Sequence, residues 1–339
     1  MTSKPRVFSG VQPSGKLHIG NYIGALSVWA KEQDTFDGLF CVVDLHALTV
    51  PEAINPSVLN QKIWETVAIY LASGLDPKKS SIFVQSTVHE HAELAWILTC
   101  VTPLGWLERM TQFKTKASAR ETVGSGLLCY PALMAADILL YDTKLVPVGE
   151  DQRQHIELTR DVAIRFNNMF GPVFSLPEAM IRKVGARIMG LDDPNAKMSK
   201  SIGEIKVGHS IGVIDPPNVI AKAIKSAVTD SGSTIDTDNA AGGVRTLLTI
   251  YQAVSNASDD EMHARFNGKG YGFLKSQVIE AVCEGLRPVR EETQRLMADK
   301  TYLKSVIDQG SEIASGIAEE KMALVRNALG IDFIKKLSK

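Results

Sequence analysis

The sequence is poor in three things, and each shortage narrows the field. Cysteine is scarce: Cys41, Cys100, Cys129 and Cys283 are the four in 339 residues. They form no C-x-x-C pair and no Cys/His cluster of structural-zinc spacing, so neither a disulfide scaffold nor a zinc module is expected. Cys41 lies inside the apolar run 39–43, where it reads as a small core hydrophobe. Charge of one sign is also lacking. With 37 basic and 38 acidic residues the formal net charge is −1, which excludes bulk attraction to nucleic acid or an anionic membrane. Binding to either has to be local. Long apolar runs are the third absence, for none approaches the roughly 20 residues that cross a bilayer. Residues 1–6 are polar and run straight into a short strand, unlike a signal peptide. Scattered free thiols fit a reducing compartment, so a cytoplasmic location is expected.

What is present is ordinary globular material. Hydrophobic residues make up 45% and charged residues 22%, enough for a sizeable core without staples. Short apolar runs at 6–9, 39–43, 82–85 and 145–148 are each bounded by Gly, Pro, Asp or Ser, as buried parallel strands tend to be. Between the first two, Ile19, Ile23, Leu26, Trp29 and Ala30 recur at helical spacing. Asn55-Pro56 supplies a cap and a first-turn proline for a helix with Leu59, Ile63, Val67 and Tyr70 inward, ended by Gly74. This alternation predicts a doubly wound, Rossmann-like α/β domain with a parallel sheet over residues 1–205. Strand signals fade beyond Lys206. Asp215-Pro216 opens one helix, Ser258-x-x-Glu261 is a capping box for another, and periodic segments run to Lys339. A C-terminal helical domain over 206–339 is therefore expected. It carries 17 basic and 17 acidic residues, which is no footprint for RNA.

Two segments carry chemistry. Residues 9–21, Ser9-Gly10-Val11-Gln12-Pro13-Ser14-Gly15-Lys16-Leu17-His18-Ile19-Gly20-Asn21, join strand one to helix one. In an open α/β sheet that junction lies at the carboxyl ends of the strands, where ligands bind. Gly10 and Gly15 let backbone approach a ligand closely, and the helix start after His18 offers N–H groups to phosphate. His18 and Asn21 add side-chain donors there. A glycine-containing loop with no ligand is an equal reading of this segment alone. The text is not G-x-x-x-x-G-K-[ST], which excludes an ordinary P-loop. The second segment, Lys197-Met198-Ser199-Lys200-Ser201, follows the turn-rich Leu191-Asp192-Asp193-Pro194-Asn195. Two lysines on such a loop can bring point charges to a polyphosphate and leave afterwards. Most lysine pairs are solvated turns, but this pentapeptide should arise by chance in roughly one chain of this length in several thousand. Together the segments point to an enzyme that holds ATP phosphates between them.

His18-Ile19-Gly20-Asn21 with Lys197-Met198-Ser199-Lys200-Ser201 resembles the paired signatures of class I aminoacyl-tRNA synthetases. Gly10-Val11-Gln12-Pro13-Ser14-Gly15, Met110-Thr111-Gln112-Phe113-Lys114, Met134-Ala135-Ala136-Asp137-Ile138-Leu139-Leu140-Tyr141 and Val148-Gly149-Glu150-Asp151-Gln152 look like bacterial-type tryptophanyl-tRNA synthetases. The likeness covers essentially the whole chain, is dense to Ser201 and is looser in the helical tail. Asn21 stands where the first signature usually has a second histidine, and it still offers a donor. The resemblance implies activation of L-tryptophan by ATP and Mg2+ to an adenylate plus pyrophosphate, then transfer to the 3′ end of tRNA(Trp). It also implies a homodimer whose residues 206–339 bind the anticodon. The apolar segment 92–106, with Trp96, Ile97, Leu98, Val101 and Leu104, is the candidate dimer contact.

The same resemblance assigns residues. His18, Asn21, Lys197 and Lys200 would be catalytic. Gln12, Pro13, Ser14, Gly20 and Asn21 would lie near the phosphates, Gly149, Glu150 and Asp151 at the ribose, and Ile188 at the adenine. Lys197, Met198, Ser199, Lys200 and Ser201 would meet the leaving pyrophosphate, with Lys116 a further phosphate candidate. Asp137 would accept the indole N–H in a slot lined by Phe8, Val43, His46, Met134, Val146 and Val148. Gln112, Gln152 and Tyr130 would hold the amino acid's polar end. On the residues alone, Asp137 sits on an apolar helical face within 131–141, costly without a donor, and a nearby lysine or arginine is the simpler partner. Tyrosine-specific relatives usually carry a first-strand tyrosine whose hydroxyl meets the substrate phenol, and Phe8 has none to offer. Some relatives carry an iron–sulfur cluster on C-terminal cysteines; Cys283 stands alone, so none is expected, nor is zinc. Both signatures are intact, which speaks against a synthetase-like protein without catalysis. The match around Asp137 and 149–152 speaks against another nucleotidyltransferase of the superfold.

Overall fold

The computed structural model describes residues 4–118, 122–181, 188–199, 203, 206–230 and 232–333. Lys200 and Ser201 lie outside the described residues. Five parallel strands form one sheet: β1 (Arg6–Val11), β2 (Asp37–Val42), β3 (Ser80–Val84), β4 (Leu145–Pro147) and β5 (Glu178–Met180), in the order β3-β2-β1-β4-β5. The first four sit where the apolar runs place them. The fifth has no sequence signal, because Glu178-Ala179-Met180 is three residues long, lacks a β-branched side chain and lies at an edge. Strand order reverses between β1 and β4, and open sheets bind ligands outside the carboxyl ends at such a point.

Helices cover both faces. Ile19 begins not one helix but α1 (Ile19–Asn21), a π turn (Tyr22–Leu26) and α2 (Ser27–Glu32). The apolar positions still turn inward, since Ile19, Leu26 and Trp29 are buried. A π turn admits one extra residue per turn and is frequent beside functional sites. After α3 (Asp44–Ala47) comes α4 (Pro56–Ala72), where the Asn55 side chain accepts from the Ser57 and Val58 N–H groups. Gly74, at φ 98°, turns the chain out of it, a conformation that costs a side chain more than glycine. Then follow α5 (Glu90–Val101), α6 (Leu104–Glu108), α7 (Thr111–Ser118), α8 (Ser125–Leu139) and α9 (Arg153–Phe170). The C-terminal third is helical as expected: α10 (Pro217–Lys225), α11 (Gly242–Ser255), α12 (Asp259–Phe266), α13 (Tyr271–Ala298) and α14 (Lys300–Leu329). The Ser258–Glu261 capping box opens α12.

The pleat divides the strand residues between two cores. Val7, Phe40, Val42 and Ile82 face α4 and continue into a core shared with Ile220, Leu247, Leu274 and Leu286 of the helical third. Phe8, Leu39, Cys41 and Phe83 face the opposite side with α5, α8 and α9. The last helix returns to that second core through Ala314, Ala318, Met322 and Val325. Gly310 makes this possible: a Cβ there would lie 2.0 Å from the Ile82 carbonyl of β3. Backbone also ties the two parts together. Val213 donates to the Leu17 carbonyl and Ile19 to the Ile211 carbonyl, both at 2.8 Å. The His18–Asn21 signature is thus anchored on the chain that leads into the helical third. Among the described residues no helix is long and apolar enough to cross a membrane.

Candidate functional site

The glycine loop leaves β1 at the switch point. Gly10 is needed there, because a Cβ would come 2.7 Å from the Val43 side chain. Pro13 is buried and Ser14 exposed. Gln12 donates its amide to the His46 carbonyl at 2.9 Å, joining this loop to the turn after β2. The expectation of open N–H groups after His18 needs correcting. Ile19 donates to Ile211 and Asn21 to His18, so two of those groups are already used by the protein. The Asn21 side-chain oxygen accepts from the His18 N–H at 3.1 Å, which turns its amide NH2 away as a donor. His18 is buried, and Gly20 is packed so closely that a Cβ would lie 2.9 Å from its ring.

Lys197 and the 149–152 turn meet. Lys197 Nζ lies 3.1 Å from Asp151 Oδ1, with both side chains about half exposed. Gly149 is part of the fit, since a Cβ would sit 2.7 Å from that same carboxylate oxygen. Burial pushes the Asp151 carboxyl up, but the Gln152 amide and Lys197 outweigh it and hold it below the usual carboxylate range. Glu150 pairs with Arg153 at 2.6 Å. Met198 is buried, and its N–H donates to the Ile188 carbonyl, so two of the expected nucleotide residues share a backbone bond.

The expected amino-acid end centres on Asp137, 1% exposed on α8. Its partners are neither lysine nor arginine, as the residues alone suggest, but two histidines and a glutamine. His46 Nε2 lies 2.8 Å from Oδ2; Gln85 Nε2 at 2.6 Å and His91 Nδ1 at 2.7 Å reach Oδ1. The Gln85 orientation is fixed from behind, because its oxygen accepts the Leu45 N–H. His91 Nε2 meets the Tyr141 hydroxyl at 2.7 Å. Burial pushes that phenol well above its ordinary value, so it keeps its proton, donates to Nε2 and leaves Nδ1–H for Asp137. Burial alone would raise the Asp137 carboxyl; the bonds from His46 and His91 outweigh it and hold the group below the usual range. A carboxylate offers about four acceptor positions, two on each oxygen. Among the described residues three are taken. The one that remains is on Oδ2.

The expected lining falls into place unevenly. Phe8, Val43 and Val146 are buried, and Met134 and Val148 half-buried. Phe8 stacks on Tyr141 with ring centroids 5.7 Å apart. Tyr130 stands edge-on to His46, and its hydroxyl lies 2.8 Å from His155 Nε2. Burial pushes the Tyr130 phenol up to about 12 and, helped by the charge on Lys116, the His155 imidazole down to about 4. Lys116 lies over the Tyr130 ring at 5.5 Å. Gln112 is half-buried on α7. Gln152 donates to Asp151 within the 149–152 turn rather than joining the Asp137 network. Sequence reasoning misses Gln85, His91 and His155. Gln85 had a signal, being the polar residue that closes an apolar strand at its ligand-facing end; the two histidines had none.

A scan against family models matches residues 1–287 to tRNA synthetases class I (W and Y). The tryptophan–tRNA ligase of Wolinella succinogenes is 50% identical over 329 residues, covering 97% of this chain and 99% of that one. Among solved structures, the tryptophanyl-tRNA synthetase of Campylobacter jejuni, complexed with ADP and tryptophan, is 36% identical with a TM-score of 0.84, covering 96% of this chain and 99% of that one. The tryptophanyl-tRNA synthetase of Mycoplasma pneumoniae is 34% identical with a TM-score of 0.88, covering 96% and 98%. The chain belongs to the class I tRNA synthetase family of the tryptophan and tyrosine enzymes.

Proposed function

We infer that the chain is a tryptophan–tRNA ligase. It joins tryptophan to ATP as tryptophanyl-adenylate and then esterifies tRNA(Trp). The observation that carries the choice of tryptophan is the Asp137 network. Indole N–H can only donate, and one buried carboxylate position is left to accept it. Phe8, stacked on Tyr141, brings no hydroxyl for a phenol. The names and identities of the relatives support the same reading.

The reaction needs no enzyme nucleophile. A carboxylate oxygen of tryptophan attacks the α-phosphorus, a new P–O bond forms, and the bond to the bridging oxygen breaks to release pyrophosphate. The terminal ribose hydroxyl of the tRNA then attacks the activated carbonyl, and AMP leaves. Catalysis is positioning plus stabilisation of charge that builds on the phosphates. In this proposal Asp137, Phe8, Val43, His46, Met134, Val146 and Val148 hold the indole, and Tyr130, Gln112 and Gln152 the ammonium and carboxylate. Gln12, Pro13, Ser14, His18, Gly20 and Asn21 hold the phosphates, and Ile188 the adenine. Asp151 and Lys197 exchange their mutual contact for the ribose and the pyrophosphate. A half-exposed ion pair is worth at most about 1 kcal/mol, so nucleotide binding readily displaces it. Lys200 and Ser201 would act with Lys197. Magnesium, arriving with ATP, would supply positive charge at the phosphates beside Lys197. A cytoplasmic location completes the proposal. Charging of unmodified tRNA(Trp) with labelled tryptophan tests it: ester formation dependent on ATP is expected, and none would refute it.

A homodimer is proposed through α5 and α6. Trp96 is 71% and Leu104 60% exposed, while Leu98 and Val101 of the expected patch turn into the core. Closed twofold dimers are the commonest oligomer. Sedimentation velocity at micromolar concentration should show one species of twice the chain mass; a single monomeric species would contradict this.

A further inference from the structure

The loop that carries Lys197 is fastened first by backbone. Gly190 donates to the Ala196 carbonyl at 2.8 Å and Met198 to the Ile188 carbonyl at 3.0 Å. At Ser199 the fastening passes to a side chain. The His209 ring is 1% exposed and faces two partners. Its Nδ1 lies 2.5 Å from Asp192 Oδ1, and its Nε2 lies 3.3 Å from the backbone nitrogen of Ser199. An ionised carboxylate only accepts and a backbone N–H only donates, so Nδ1 carries the proton and Nε2 accepts. Burial pushes the Asp192 carboxyl up, but the hydrogen bonds from His209 and Lys206 hold it below the usual range, ionised. Space is reserved for the ring, since a Cβ on Gly190 would come 2.4 Å from its Cε1. The His209 backbone is held as well, donating to Lys206 and accepting from Leu191.

We propose that His209 is a positioning residue for adenylate formation: oriented by Asp192, it fixes Ser199 and with it the lysine loop over the nucleotide phosphates. The inference rests on the reading that Lys197 meets the leaving pyrophosphate. His209 touches no reacting atom. Its loss should appear in adenylate formation, leaving the tryptophan pocket unaffected. A leucine fills similar volume but cannot accept the Ser199 N–H. A glutamine amide presents a donor and an acceptor side by side, as the ring does.

The test is pre-steady-state adenylate formation in the full chain at saturating tryptophan and magnesium, with ATP varied. Thermal unfolding is followed alongside. His209→Leu should slow the maximal rate about tenfold, the scale of one lost hydrogen bond that positions the lysine loop. Tryptophan Kd should stay within about twofold, and His209→Gln should recover the rate to within about threefold of wild type. Asp192→Ala, which keeps the ring but frees its tautomer, should slow the same step. A wild-type rate in folded His209→Leu or Asp192→Ala overturns the proposal, as does equal loss in the Leu and Gln variants. Lys197→Ala in the same assay separates the two readings. If it is slow while His209→Leu is not, only the role of His209 fails; if Lys197→Ala is itself unaffected, the lysine-loop reading fails.

Discussion

Replacing Lys197 by alanine should slow tryptophanyl-adenylate formation by about 10²–10³-fold, the usual cost of one preorganised charge or donor at a site of developing negative charge. Equilibrium tryptophan affinity should hold within a few-fold. The physical reason lies in where the charge grows. Among the described residues the Lys197 ammonium pairs with the half-exposed Asp151 carboxylate, so its removal costs the fold little. In the proposed complex the same ammonium would face several anionic oxygens of the leaving pyrophosphate, and would bind them best as the bond breaks. An interaction stronger in the transition state than in the ground state changes kcat more than KM. Lys200→Ala should behave alike, because the second lysine of the motif is expected to serve the same group. Rapid-quench measurement at saturating ATP and magnesium checks both. A wild-type rate would make this segment the solvated turn that most lysine pairs are.

Asp137→Ala should lower kcat/KM for tryptophan by about 100-fold or more while leaving KM for ATP within about threefold. Two losses add. The substrate indole N–H is left without an acceptor in a closed pocket. His46, Gln85 and His91 also lose their shared partner, and each buried unpaired donor costs about 1–3 kcal/mol. The second loss belongs to the protein and should appear as a lower Tm. The first is separable with an analogue whose ring carries sulfur in place of N–H. Wild type should reject that analogue, and the variant should barely distinguish it from tryptophan. Discrimination unchanged between the two proteins would return Asp137 to a structural role.

These two sites were legible in the sequence to different depths. The strands were readable because β1 to β4 are buried on both faces and so written as apolar runs. β5 was not, being a short edge strand with little to bury. Asn55-Pro56 and Ser258-x-x-Glu261 could be read as caps because capping is chemistry local to four residues. The π turn at 22–26 could not, since its apolar positions match a regular helix. Asp137 drew attention as a carboxylate on an apolar face, yet its partners come from β3's end, the turn after β2, and α5, up to 91 residues away. Nothing in local pattern marks such a convergence. The pairing of Lys197 with Asp151 is equally non-local, and it joins two segments that the resemblance assigned separately to ribose and pyrophosphate.

Exchange of labelled pyrophosphate into ATP, with no tRNA present, tests the central claim most directly, because it isolates amino-acid activation from every later step. One buried acceptor beside Phe8 should make the exchange depend on tryptophan, with tyrosine and phenylalanine far weaker. Phenylalanine leaves the Asp137 acceptor unpaired, which a site built around such a bond rejects by orders of magnitude, and the phenol of tyrosine finds no hydroxyl partner on Phe8, which is worth about 10²-fold. Tryptophan-dependent exchange with little from the other two is the result expected here, and exchange with tyrosine at an equal rate would contradict it.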